Sequence, residues 1–189
     1  MKKLVVVIEI IAIAVVGFLG YKVITNPYYL GDTIHSFQYT PPSNITALAS
    51  SSSMTELGRK LFYRYSPVIV SENDVESRCE VADMPIGCVS GQKIYLSQAL
   101  EQDRLQDTAV HEMLHIAYSR LSSSERQEIQ ELLQSYKKRQ FNRAVSEELA
   151  LYDDEPDAIY FDEFHSIVGS LDKSVSGPLK EHYQNYINY

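Results

Sequence analysis

Two imidazoles and a carboxylate stand together at His111-Glu112-Met113-Leu114-His115, in a chain of 189 residues that holds only 5 histidines. Residues four apart on an α-helix are separated by about 40° around its axis, so His111 and His115 offer two ring nitrogens to one point, a geometry that suits Zn2+. Glu112 lies one position further round, beside any water such an ion would bind and under no need to ligate it. That is the place of a general base. Zinc brings the pKa of bound water toward about 7, and a carboxylate there can take the proton as hydroxide attacks a carbonyl, then pass it to the leaving amine. The residue types and their spacing therefore point to hydrolysis of an amide, with one Zn2+ as cofactor and Glu112 as a catalytic group.

A catalytic zinc needs a third protein ligand. The acidic candidates downstream are Glu147, Glu148, Glu155, Asp162 and Glu163, with His165 available as an imidazole. Spacing does not choose among them, but Glu163 and His165 are about 200° apart around a helix and can hardly both bind one ion. No phosphate-binding glycine loop or nucleophilic serine pattern offers a rival chemistry.

The motif must sit inside a helix, and Val110, Leu114, Ala117 and Leu121 repeat at three and four residues around it, after a capping-box pattern at Asp103-Arg104-Leu105-Gln106. A further helix is expected from Ser122-Ser123-Ser124-Glu125 through Tyr136, another from Pro156 to Gly169, and a short one after Gly177-Pro178. Upstream, Leu57, Leu61 and Phe62 share a helical face that Pro67 ends before the strand Val68-Ile69-Val70. Lys93-Ile94-Tyr95-Leu96 has the composition of a second short strand, and the turn residues before it suggest a hairpin. The fold class expected is α+β: a small domain with a short antiparallel sheet and hairpin, the motif helix and further helices. The clustered Tyr183, Tyr186 and Tyr189 read as packing of the last helix.

Lys plus Arg number 17 against 25 Asp plus Glu, a net charge of −8 with no basic stripe, so no nucleic-acid partner is expected. Leu4 to Gly20 is apolar apart from Glu9, follows Lys2-Lys3, and nearly reaches the roughly 20 residues of a spanning helix. It reads as a single-pass membrane anchor, with secretion after signal-peptide cleavage as the alternative. The positive-inside rule keeps Lys2 and Lys3 in the cytoplasm and puts the remainder outside it. Cys79 and Cys88, the only two cysteines, then read most economically as one disulfide in an oxidising compartment. Three regions result: an anchor over 1–25, a stalk rich in Pro, Ser, Thr and Asn over 26–52, and the domain over 53–189.

From Ile94 to Gly169 the chain resembles the HExxH zinc metallopeptidases of the zincin group. More narrowly, Cys79, Gly87-Cys88, Ile94-Tyr95-Leu96, the motif and Asp162-Glu163-Phe164-His165-Ser166 look like a bacterial set of membrane-anchored metallopeptidases whose late element usually reads Asn-Glu-Leu-His-Ser. The resemblance implies that Glu163 is the third ligand of a gluzincin-type site, beside His111 and His115, with Asp162 and Phe164 departing from the usual Asn and Leu. It also implies that the strand Lys93–Leu96 holds an extended protein or peptide substrate. His165 is then left a contact with a neighbouring carbonyl, the orienting of a group behind a ligand, a role at the oxyanion as a second catalytic residue, or one in packing. The missing third histidine after His115 argues against the metzincin pattern. The metalloprotease expected is a hydrolase outside the cytoplasm. The other readings are a non-catalytic zinc-binding ectodomain that serves as a scaffold or ligand-binding module, and a zinc hydrolase of another amide such as a cell-wall crosslink.

Overall fold

The computed structural model describes residues 13, 14, 16–18, 20, 21, 27–79, 86–138 and 142–189. They fall into two units, Met1–Thr40 and Pro41–Tyr189. The first contains helix α1 (Tyr29–Gln38). Of the segment expected as an anchor, residues 1–12, 15, 19 and 22–25 lie outside the described residues. Among the described residues no helix is long and apolar enough to cross a membrane.

The second unit is α+β and begins inside the expected stalk. Helix α2 (Ser43–Ser51) buries Ile45, Leu48 and Ala49. The Ser and Thr hydroxyls that suggested a linker bond back along the helix: Ser50 Oγ donates to Thr46 O on the exposed face, and Ser51 and the buried Ser52 donate to Leu48 O. Hydroxyls satisfied against the helix's own carbonyls leave the apolar spacing at i, i+3 and i+4 free to direct packing. Helix α3 (Glu56–Arg64) follows, capped by Thr55, whose side chain accepts from Gly58 N. Its buried face is Gly58, Leu61 and Phe62, whereas Leu57 is exposed.

Next come β1 (Val68–Val70), α4 (Glu72–Arg78), β2 (Gly87–Ser90) and β3 (Lys93–Ser97). The sheet is mixed, not purely antiparallel: its order is β1-β3-β2, with β1 parallel and β2 antiparallel to β3. The chain between β1 and β2 spans one strand position, and the two-residue turn Gly91-Gln92 folds β3 back into that gap. A central strand is covered on both faces, and β3 alternates accordingly. Ile94 and Leu96 enter the main core, while Tyr95 joins Val75 and the disulfide-bonded Cys79 and Cys88, whose Cα atoms are 5.9 Å apart. The disulfide ties the end of α4 to β2.

The motif helix α5 (Gln102–Ser119) starts one residue before the expected capping box, and Glu101 at its N-cap makes no side-chain cap. It is followed by α6 (Ser123–Lys137), which starts where the sequence indicates and is closed by a Ser122–Glu125 capping box. Then come α7 (Arg143–Leu149), the 3-10 turn Ala150–Tyr152, α8 (Asp157–Leu171) and α9 (Pro178–Tyr183). The most extensive packing in the unit is α5 on α8. Gly169, expected as a stop, lies inside α8 at its closest approach: a Cβ there would stand 2.5 Å from Leu114 Cδ1 and 2.7 Å from Tyr183 Cε1. The missing side chain lets the two helices meet.

Candidate metal centre

Helices α5 and α8 each contribute one face to a shared site. On α5, Met113, Leu114, Ile116 and Ala117 turn into the core, which leaves His111 and His115, one turn apart, on the α8 side with about a fifth of each side chain exposed. On α8, Phe164, Ile167 and Val168 are fully buried, and this anchoring turns Glu163 toward the two imidazoles. His111 Nε2 and His115 Nε2 are 3.0 Å apart. Glu163 Oε2 is 3.3 Å from His111 Nε2, and its Oε1 is 3.6 Å from His115 Nε2. One ligand atom from each of the three residues lies within 4.8 Å of the others, a group that could hold a metal ion.

The donor set can be tested for that fit. Glu163 Oε2 is buried and makes no well-formed hydrogen bond, although His111 Nε2 stands 3.3 Å from it. A carboxylate oxygen so incompletely satisfied in a low-dielectric setting keeps part of its desolvation penalty, which a cation would relieve. His115 Nδ1 is 2.8 Å from Asp162 Oδ1. An ionised carboxylate only accepts, so His115 donates from Nδ1, which leaves Nε2 as the nitrogen that faces the other donors and would be offered to an ion. Two imidazole nitrogens, one glutamate oxygen and a carboxylate behind one of the imidazoles fit a metal ion.

Charge shapes the pocket further. Burial lowers the His115 pKa, but the bond to Asp162 and the charges of Glu112, Asp162 and Glu163 outweigh it, and the result is raised to about 9. Burial pushes Glu163 up, while His111, His115 and the Tyr152 hydroxyl bring it below the usual glutamate range. Glu112 is 5% exposed, and burial raises its carboxyl against the pull of the two histidines. Its neighbour on β2 is Gly87, where a Cβ would lie 3.2 Å from Glu112 Oε1 and 2.6 Å from Thr108 Cγ2. The glycine gives the carboxylate its room.

The three expected ligands are thus brought together with Glu112 beside them on α5. Of the rival third ligands, Asp162 serves as the partner of His115, and Glu147, Glu148 and Glu155 stand outside the group. His165 stands outside it too. It has no exposed surface, and its Nε2 meets His182 Nε2 at 2.9 Å. Tyr152 went unnoticed in the sequence: its hydroxyl interacts with Glu163, and burial followed by Glu163 and Glu148 raises its pKa, so it remains a donor. No spacing rule reaches across the turn that presents it. The one available signal for Asp162 was its adjacency to Glu163.

No family model, curated protein or solved structure matches the chain.

Proposed function

We propose that this chain is a zinc-dependent peptidase with a zincin-like, gluzincin-type centre: His111, His115 and Glu163 hold the ion, and Glu112 is the general base. The observation that carries the proposal is the convergence of three ligand atoms within 4.8 Å, one from a residue 48 positions beyond His115, with a buried carboxylate next to them on the motif helix. A zinc ion held by these residues supplies Lewis acidity toward a water and an amide carbonyl. Asp162 keeps His115 in the ligand tautomer. Glu112, its proton affinity raised by burial, takes a proton from the attacking water and returns it to the departing nitrogen.

The substrate is a protein or peptide lying along the sheet. The resemblance assigned that duty to the strand Lys93–Leu96, but β3 has a partner on both sides and offers no edge. The strand that borders Glu112 is β2, through Gly87, and it ends the sheet's order. An extended chain pairing with β2 would pass the base directly. The compartment follows from residues at the start of the chain and from the disulfide: Lys2-Lys3 ahead of the apolar Leu4–Gly20, and Cys79–Cys88, suit a membrane-anchored domain outside the cytoplasm.

Zinc content of the purified protein tests this. Wild type is expected to carry one zinc, Glu163→Ala to lose most of it, and Glu112→Ala to keep it without hydrolysing peptides. A wild type that binds no zinc ends the proposal.

A further inference from the structure

The metal centre leaves His165 without employment, yet its side chain and backbone are both held. Its Nε2 is 2.9 Å from His182 Nε2 on α9, and the hydroxyl of Tyr183, the next residue, donates to His165 O at 2.8 Å. Side chain and backbone of one residue are therefore bound to the same short helix. The His165 ring also packs on Tyr118 of α5, with centroids 5.2 Å apart, and on Tyr183, with centroids 5.1 Å apart. Tyr118 lies three residues after His115. His165 thus joins the helix bearing Glu163, the helix bearing both histidine ligands, and α9.

One proton is shared between the two facing Nε2 atoms, and its owner can be argued. His165 Nδ1 is buried without a partner. A buried N–H donor without an acceptor is rarer and more costly than a vacant acceptor, so the His165 proton sits on Nε2 and Nδ1 keeps a lone pair. Two residues along a helix turn through about 200°, which puts His165 on the opposite side of α8 from Glu163. Any rotation of α8 that swings Glu163 away from His111 must break the bond behind it.

We infer that His165 is a positioning residue: its Nε2–H donates to His182 Nε2, and this bond fixes the rotation of α8 that aims Glu163 at His111 and His115. The role deepens the metal centre proposed above and rests on it.

The full chain, in wild type and with His165→Gln, His165→Asn and His165→Phe, separates this role from plain packing. A Gln amide nitrogen reaches about where ring Nε2 stands, an Asn amide only the position of Nδ1, and Phe keeps the ring without a donor. Zinc affinity against a competing chelator and the visible absorption spectrum of the Co2+ form are read together. Phe and Asn are expected to weaken zinc binding about 10- to 100-fold and change the Co2+ spectrum, while Gln stays within about threefold of wild type. Phe with wild-type affinity and spectrum overturns the role, as does Gln failing alongside Phe. If wild type takes up no metal, the metal centre itself fails, and amide exchange across 157–171 in the metal-free chain decides the bond alone. Faster exchange in Phe and Asn than in wild type and Gln upholds it, and equal exchange overturns it. Should His165→Phe not fold, His182→Phe breaks the same bond from its more exposed partner and is held to the same readings.

Discussion

The chain contains two histidine pairs whose Nε2 atoms approach to about the same distance, 3.0 Å for His111 and His115 and 2.9 Å for His165 and His182. Their surroundings differ in kind. Around the first pair stand Glu163, Asp162 and Glu112, a surplus of negative charge that favours a proton or another cation on these imidazoles and raises His115 to about 9. Around the second stand the rings of Tyr118, Tyr183 and Tyr186, and the carboxylate that acts on His182, Glu125, is exposed and occupied in accepting from Ser122 N and Oγ at the start of α6. A divalent ion moved into the second site would lose its hydration and gain two imidazole nitrogens among ring faces with no carboxylate to offset its charge, a balance on the unfavourable side. Identical donor atoms at similar spacing therefore make a cation site in one place and a neutral hydrogen bond in the other. The difference lies in which partners the neighbouring helices supply.

If the carboxylates make the first pair special, removing them one at a time should degrade it in a set order. The largest effect is on chemistry: Glu112→Gln retains the shape and the metal but not the base, and peptide hydrolysis should fall about 10²- to 10⁴-fold at unchanged zinc content. Glu163→Ala should come next, weakening zinc binding beyond the roughly 100-fold that bounds losses from outer contacts. Asp162 is such an outer contact. Asp162→Ala removes the acceptor for His115 Nδ1–H, and affinity should drop about 10- to 100-fold, whereas Asp162→Asn keeps an acceptor oxygen and should lose less. Equal losses for Ala and Asn would mean that the charge of Asp162, not its hydrogen bond, matters. Tyr152→Phe should be milder still, at about tenfold or below, because the metal itself can satisfy the Glu163 oxygens that the phenol approaches.

Much of the first region was legible because its information is local. The His111/His115 spacing, the apolar repeat of α5, the helix start at Ser122–Glu125 and the strands Val68–Val70 and Lys93–Leu96 each fit within one element, where periodicity speaks directly. Glu163 was reached through resemblance, since helical spacing cannot say which of five acids a distant helix turns inward. The second region was illegible for the same reason. His165 looked like a candidate for chemistry because it follows Glu163 by two residues, but that interval is half a turn, and it sends the ring to the far side of α8, where only the fold reveals His182. The serine-rich start of the domain misled in another way: composition marked a linker, while Ile45, Leu48 and Ala49 carried the helical signal that packing used. Sheet order was likewise hidden, because nothing in β1 or β3 announces that they pair directly and in parallel, with β2, which lies between them in sequence, at the other side of β3.

The second pair predicts a pH dependence that the first does not share, and it is the smallest effect expected. Burial lowers the His182 pKa from 6.5 to about 4, against a weaker upward pull from Glu125. Between those values the unfolded chain binds a proton at this residue and the folded chain does not, so unfolding is favoured as pH falls from about 6.5 to about 4, and the neutral pair is fully favoured above that window. Below about 4 both states are protonated at this position and its contribution stops changing. Carboxylates held below their usual range, such as Asp172 with its Ser174 and Tyr136 partners, also lose stabilisation in acid, so the total slope is not diagnostic. The contrast with a variant is. In metal-free protein, the urea midpoint of His182→Gln should fall less between pH 6.5 and 4 than that of wild type, while a variant of the first pair such as His111→Gln should still carry the His182 contribution in full. If wild type and His182→Gln lose stability in parallel through that window, His182 is not held neutral by its surroundings, and the division between a charged pair and a neutral one fails at its second term.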